Sequence, residues 1–169
     1  MANHFNIAGE LTQQLLAPGD NANTGSISLT NTQKVSKCKV DLYNEKALTG
    51  KFYLLTGVEL PIGTTLVYNS VRFKNTIGEF GLYIKLTDGA TFALTGSIDP
   101  VADPTVTGVN TLFLSEVSVG DEIVVSSETR TVASIASNTE LEVTAATTNT
   151  ANDTTPDCNP TALVDVIIN

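Results

Sequence analysis

The stretch Phe80-Gly81-Leu82-Tyr83-Ile84-Lys85-Leu86 limits what this chain can fold into more than any other. Apolar side chains fall at positions 80, 82, 84 and 86, with Gly81, Tyr83, Lys85 and Thr87 between them. A period of two places successive side chains on opposite faces of a strand, so the pattern predicts a strand with one buried face. Asp88-Gly89 follows, a turn dipeptide that favours a hairpin partner. The best-matched apolar run after it is Leu163-Val164-Asp165-Val166-Ile167-Ile168. The expectation is that these two strands share one sheet and that residues 88–159 are an inserted second module.

Charge marks the same division. Residues 88–159 hold eleven Asp or Glu against one basic residue, Arg130, a net −10, while the rest of the chain carries seven acids and eight bases, a net +1. The boundaries expected from this shift are a host domain of residues 1–87 plus 160–169 and an acidic insert of residues 88–159. At 169 residues the chain has room for one ordinary domain or two small ones. The acidic balance argues against nucleic acid, because phosphate binding needs clustered Lys and Arg. The basic run Lys34, Lys37, Lys39 reads as solubilising charge on an exposed strand. No stretch approaches eighteen apolar residues and no basic-then-apolar leader opens the chain, so no membrane partner is expected and the protein reads as soluble and made in a cytoplasm. Cys38 and Cys158 both fall in or beside the host; a bridge is geometrically possible, and two free thiols are expected.

Taken in order, residues 1–25 offer Phe5, Ile7, Leu11, Leu15 and Leu16, a short amphipathic segment or a first strand, before the turn Ala17-Pro18-Gly19-Asp20-Asn21; the whole reads as an arm laid on the chain's own sandwich or docked on a neighbouring subunit. Short strands are expected at Ile27-Ser28-Leu29, at 37–43 with Cys38, Val40 and Leu42 inward, at 51–55, at 64–68 and at Val71-Arg72-Phe73, with a turn at Asn75-Thr76-Ile77-Gly78. Short strands at this spacing without helices predict an antiparallel β-sandwich of about a hundred residues. In the insert, Ile98 to Pro104 reads as a proline-broken linker. Strands are expected at 106–108, 112–114, 119–125, 131–135 and 141–143, and 147–155 reads as a low-complexity return linker. Five short strands in so few residues predict a small barrel or curled sheet. The expected fold class is therefore all-β: an antiparallel β-sandwich with an inserted small β-barrel-like domain.

Catalytic chemistry is absent from this reading. His4 is the single histidine and lies in the N-terminal segment, so neither a Ser-His-Asp nor a Cys-His apparatus is expected. One histidine and two distant cysteines match no zinc spacing. Asp121-Glu122 and the other insert carboxylates follow no calcium-loop spacing and read as solvated. Gly78-Glu79-Phe80-Gly81 has neither the spacing nor the lysine of a phosphate loop. Asn152-Asp153-Thr154 is a formal glycosylation sequon. Val117-Ser118-Val119-Gly120-Asp121 reads as a tight turn in which Gly takes a positive φ and Asp accepts nearby backbone N–H groups. No catalytic, cofactor-binding or metal residues are assigned, and no cofactor is expected.

Two segments carry a resemblance. The insert has Thr107-Gly108 and Thr111-x-Phe113, then Val119-Gly120-Asp121-x-Ile123, Arg130-Thr131-Val132-x-x-Ile135 and Ser137-x-Thr139-x-Leu141-x-Val143. It resembles a small β-module of tailed-phage tail, baseplate and fibre proteins, departing from it where Asn110 stands in place of a glycine before Thr111. The host, through Ile27-Ser28-Leu29-Thr30-Asn31, Tyr53-Leu54-Leu55, Pro61-x-Gly63-Thr64-Thr65-Leu66-Val67, Tyr83-Ile84-Lys85-Leu86 and Val164-Asp165-Val166-Ile167-Ile168, resembles a β-sandwich virion protein of T4-like phages of the marine, cyanophage type. The resemblance implies a non-enzymatic virion structural protein, assembled in the host cytoplasm and resident in the virion. It implies a capsid decoration or cement role, with a neck, tail, baseplate or fibre position or a receptor- or glycan-binding adhesin as the alternative. The expected partners are capsid or tail subunits and further copies of the chain, with a host-surface receptor for the adhesin.

Overall fold

The computed structural model describes residues 2–20, 23–46, 49–69, 73–74 and 80–169. The expected turn at 75–78, most of the expected strand at 71–73 and the Gly78-Glu79 part of the phosphate-loop comparison lie outside the described residues. The described residues are all-β apart from one helical turn. The chain divides into two compact units: Met1–Gln33, Lys37–Asp88 and Ala162–Asn169 form the first, and Gly89–Thr161 with Lys34–Ser36 forms the second.

The first unit is a sandwich of two antiparallel four-stranded sheets. Its strands are β1 (Asn3–Ala8), β2 (Thr12–Leu16), β3 (Asn23–Thr24), β4 (Ile27–Asn31), β5 (Cys38–Lys46), β6 (Gly50–Leu60), β7 (Thr65–Tyr68), β8 (Phe73–Lys74) and β9 (Gly81–Thr87), joined much later by β17 (Leu163–Ile168). One sheet runs β1-β17-β4-β7 and the other β2-β9-β5-β6, with β3 and β8 paired as a short ribbon. Alternation dictates what each strand buries. Cys38, Val40 and Leu42 of β5, Leu82, Ile84 and Leu86 of β9, Ile27 and Leu29 of β4, and Val164, Val166 and Ile168 of β17 meet in one core. Each such aliphatic side chain contributes about 1.5–3 kcal/mol by leaving water.

Two expectations about this unit are corrected. β9 and β17 do not share a sheet; they lie in opposite sheets and bury their apolar faces in the same core. Alternation fixes which face of a strand is buried, and the two sheets of a sandwich bury equivalent faces, so the pattern alone does not choose between pairing and facing. Residues 3–16 form strands and not an arm, the first-strand alternative being the one the pairing bears out. β1 pairs along β17 from Asn3↔Ile168 to Ala8↔Leu163, and β2 pairs with β9, so the segment adds an edge strand to each sheet. Gly9, at φ 83, makes the corner between them. Ile7 enters the core on the alternation of β1, and a register irregularity between Gln14 and Leu16 lets the adjacent Leu15 and Leu16 both enter it.

The second unit contains β10 (Phe92–Ala93), β11 (Ser97–Pro100), β12 (Thr105–Val109), α1 (Phe113–Glu116), β13 (Glu122–Val125), β14 (Glu128–Ser137), β15 (Glu140–Val143) and β16 (Asp157–Asn159). They form one sheet in the order β10-β16-β13-β14-β15-β12-β11. A bridge between Ile98 and Asp153, with an N–H···O bond of 2.8 Å in each direction, ties β11 to the segment entering β16. The sheet thereby curls around a single core that includes Ile98, Val106, Phe113, Ile123, Val132, Leu141 and Cys158. The expected strand at 112–114 is a helical turn instead. Phe113 alone points inward while Leu112 and Leu114 are exposed, and Asn138 accepts the free N–H groups, from Phe113 through its backbone carbonyl (3.2 Å) and from Leu114 through its Oδ1 (3.1 Å). Ile98 to Pro104 is no simple linker, since β11 pairs with β12 and buries Ile98 completely. Asn110, where the resembling module has glycine, sits at φ 57, a left-handed conformation that asparagine tolerates better than most residues.

The joints between the sequence halves follow hydrogen bonds more than charge. Asp88 belongs with the sandwich, because its Oδ1 accepts the Ala162 N–H at 2.6 Å and its own N–H donates to Glu10 Oε1 at 3.2 Å. Pro160 and Thr161 belong with the second unit, where Thr161 donates its N–H to Asp121 Oδ1 at 3.0 Å and its hydroxyl to the Gly120 carbonyl at 2.8 Å. Asp88-Gly89 introduces no hairpin partner for β9, whose neighbours are β2 and β5.

Candidate functional site

Among the described residues no group of three or more His, Cys, Asp or Glu is placed to hold a metal ion. Asp121 and Glu122 do not converge: Asp121 is fully buried and Glu122 is exposed. Gly120 takes φ 93, and the Asp121 carboxylate accepts N–H bonds from Ser118 (2.8 Å) and Thr161 (3.0 Å), with the Cys158 thiol 3.9 Å away. That is the work of a turn and not of a ligand. In the sequon, Asp153 is committed to the Ile98 bridge, and its Oδ2 accepts the Ser126 N–H at 2.6 Å. Of the basic run, Lys37 pairs with Glu59 at 2.8 Å across exposed surface.

His4 lies exposed on β1, beside a groove of about 380 Å³ lined by His4, Phe5, Asn6, Asp165, Val166 and Ile167. Asn6 Nδ2 donates to Asp165 Oδ1 at 2.6 Å across the β1–β17 pair. The lining offers no hydroxyl, thiol or amine nucleophile beside the imidazole.

Both cysteines are free and buried, one in the core of each unit. Burial pushes the Cys38 thiol up to about 11, with the Asp88 charge adding to it. Burial and the neighbouring Asp121 carboxylate push Cys158 up to about 12. Both thiols therefore stay protonated at neutral pH and are poor nucleophiles.

The least expected surface feature is a row of side chains across the outer face of the β2-β9-β5-β6 sheet. Gln14, Tyr83, Tyr43 and Tyr53 stand opposite one another on the four strands. Gln14 Nε2 donates to the Tyr83 hydroxyl at 2.6 Å, Tyr83 stacks on Tyr43 at 5.7 Å and 12°, and Tyr53 tilts against Tyr43 at 5.4 Å. The Lys51 ammonium sits 4.5 Å from the centroid of the Tyr43 ring, a cation–π distance. Tyr43 is sealed within the row, whereas Tyr53 and neighbouring Phe52 are more than half exposed. Residue by residue the sequence gives only three tyrosines on three strands; their alignment depends on register, which no local pattern states. The outward place of Tyr83 between Leu82 and Ile84 was the one available signal.

The sheets of the sandwich also end in strand edges. β6 ends one sheet but carries two register irregularities against β5, a form that blunts edge-to-edge pairing. β1 ends the other sheet and runs in unbroken register along β17. No protein-family model matches this chain, and comparison with curated proteins finds none similar to it.

Proposed function

We propose that this protein is a non-enzymatic structural component of a tailed-phage particle, most simply a capsid decoration protein. In this reading the sandwich binds the particle lattice and the acidic unit is displayed to solvent. The observation that carries the reading is the charge division: a net −10 over residues 88–159 against +1 elsewhere. A near-neutral β-sandwich suits burial among other subunits, and a strongly acidic module suits exposure and mutual repulsion. The regular open edge of β1 supplies main-chain groups for contact with capsid or tail subunits, or with further copies of the chain.

The experiment is to locate the protein in purified particles by mass spectrometry and then in a particle density map. Density on the capsid surface supports decoration, density at the neck, tail or baseplate moves the role there, and absence from particles overturns the proposal. A second reading, a receptor- or glycan-binding adhesin, is favoured by the exposed Tyr53 and Phe52 beside Lys51. It predicts that a Tyr53→Ala variant loses adhesion to host cells while its fold is intact.

A further inference from the structure

The second unit is closed by a segment that adds nothing to its apolar core. Residues 145–155 run from β15 towards β16, none of them belongs to the core cluster, and Thr147 is the one buried side chain among them. Their attachment is polar and centres on β14. Glu128 Oε1 accepts the Thr148 N–H (3.0 Å), the Thr148 hydroxyl (2.7 Å) and the Asn149 N–H (2.6 Å), while Arg130 pairs with Glu128 and donates from Nε to the Ala146 carbonyl (3.0 Å). These bonds hold the Glu128 carboxyl down at about 2, the hydroxyl and amide of Thr148 contributing most.

The segment also meets the tight turn of the β13–β14 hairpin. Ser126 and Ser127 sit at φ 51 and 68, left-handed values unusual for residues other than glycine. Ser126 and Ser127 are the two-residue turn between paired Val125 and Glu128, and the strap also meets Ser126 on three atoms: its N–H donates to Asp153, its hydroxyl to the Ala151 carbonyl (2.6 Å), and its carbonyl accepts from Asn149 (3.1 Å).

We infer that residues 145–155 are a latched strap that opens as a unit while the rest of the second unit stays folded, with the Glu128 carboxylate as the latch. Apolar burial ties the strands into one cooperative core, whereas hydrogen bonds exposed at a surface exchange with water at little net cost. Opening therefore forfeits polar contacts and the burial of one threonine, Thr147, while the β13–β14 hairpin and its turn stay paired. It parts the Ile98–Asp153 bridge, so the seam beside β16 and the thiol of Cys158 become reachable.

Amide exchange on the intact chain at neutral pH tests this. The Thr148, Asn149 and Asp153 amides are expected to exchange at least about tenfold faster than that of Val132, and without dependence on low denaturant. Glu128→Gln is expected to raise the Thr148 and Asn149 rates by about another tenfold, leaving Val132 unchanged. Alkylation supplies a second readout: Cys158 should label faster in the variant while Cys38, in the sandwich core, does not. The inference is overturned if the strap amides exchange at the rate and denaturant slope of Val132, which would mean that they open only on global unfolding. That comparison in the unmodified protein stands even if the variant does not fold.

Discussion

The two units solve the same problem, closing a β-sheet around a core, by different physical means. The sandwich closes with apolar side chains from strands at both ends of the sequence: Ile7 from β1, and Val164, Val166 and Ile168 from β17. The second unit closes with carboxylates. The Asp121 carboxylate holds the entry to β13 against Thr161, that of Asp153 accepts the Ser126 N–H, and that of Glu128 gathers the strap. The acidic character of residues 88–159 is thus only partly a solvated surface, since three of its carboxylates are internal fasteners. Each unit has an apolar core, and on the inference above the polar fastening gives the second a part that separates from it.

The sharpest test of the division is excision. Removing residues 89–161 and joining Asp88 to Ala162 through a short Gly-rich turn should leave a folded sandwich by circular dichroism and one-dimensional NMR. Asp88 and Ala162 are already hydrogen-bonded at 2.6 Å, so a short turn spans the gap although β9 and β17 lie in different sheets. An unfolded product would show that the sandwich does not stand without the second unit.

Next come the cores. Ile84→Ala and Ile123→Ala each remove a fully buried side chain and should each cost about 2–5 kcal/mol. All four tyrosines lie at positions 43, 53, 68 and 83, so tyrosine fluorescence reports the sandwich, and Cys158 labelling reports the second unit. Ile84→Ala should lower the tyrosine transition, and Ile123→Ala should accelerate Cys158 labelling. The reverse assignment would break the comparison.

A smaller effect is expected at Asp121. Asp121→Ala leaves the Ser118 and Thr161 N–H groups without this acceptor in a buried setting, a cost of about 1–3 kcal/mol that should appear in Cys158 labelling.

The smallest effects are those of pH, and they run in opposite directions in the two units. Glu128 is held below its ordinary value of 4.5, at about 2, so its stabilisation is complete above pH 4.5 and is lost as pH falls towards 2. Asp88 is raised above 3.8 by burial, opposed by its bond from Ala162 and reinforced by Glu10, so its contribution is complete below 3.8 and is lost as pH rises through its folded value. Acid should therefore loosen the strap amides of the second unit. The sandwich of Asp88→Asn, which keeps an acceptor for Ala162 without the charge, should lose part of its pH dependence. A strap whose amide protection is flat from pH 7 to 2.5 would remove Glu128 from the account.

Much of this molecule is legible in its sequence. The period of two at Leu82, Ile84 and Leu86, at Cys38, Val40 and Leu42, and at Val164, Val166 and Ile168 names strands and their buried faces, because side-chain direction is fixed by backbone geometry within a few residues. The Gly120-Asp121 turn is readable for the same reason: a positive φ and a short-range carboxylate acceptor are local needs. The single inward Phe113 between two exposed leucines belongs to a helical turn because Asn138, distant in sequence, accepts its N–H groups. What only the tertiary structure decided is which strand meets which. β9 and β17 carry interchangeable patterns, and packing put them in opposite sheets. The tyrosine row exists only through the register of four strands, and the strap, read as a featureless linker, is ordered by Glu128, Asp153 and Ser126. Local chemistry determined each strand's inside and outside; pairing is a choice among nearly equivalent partners, and only the whole core, filled at once, makes it.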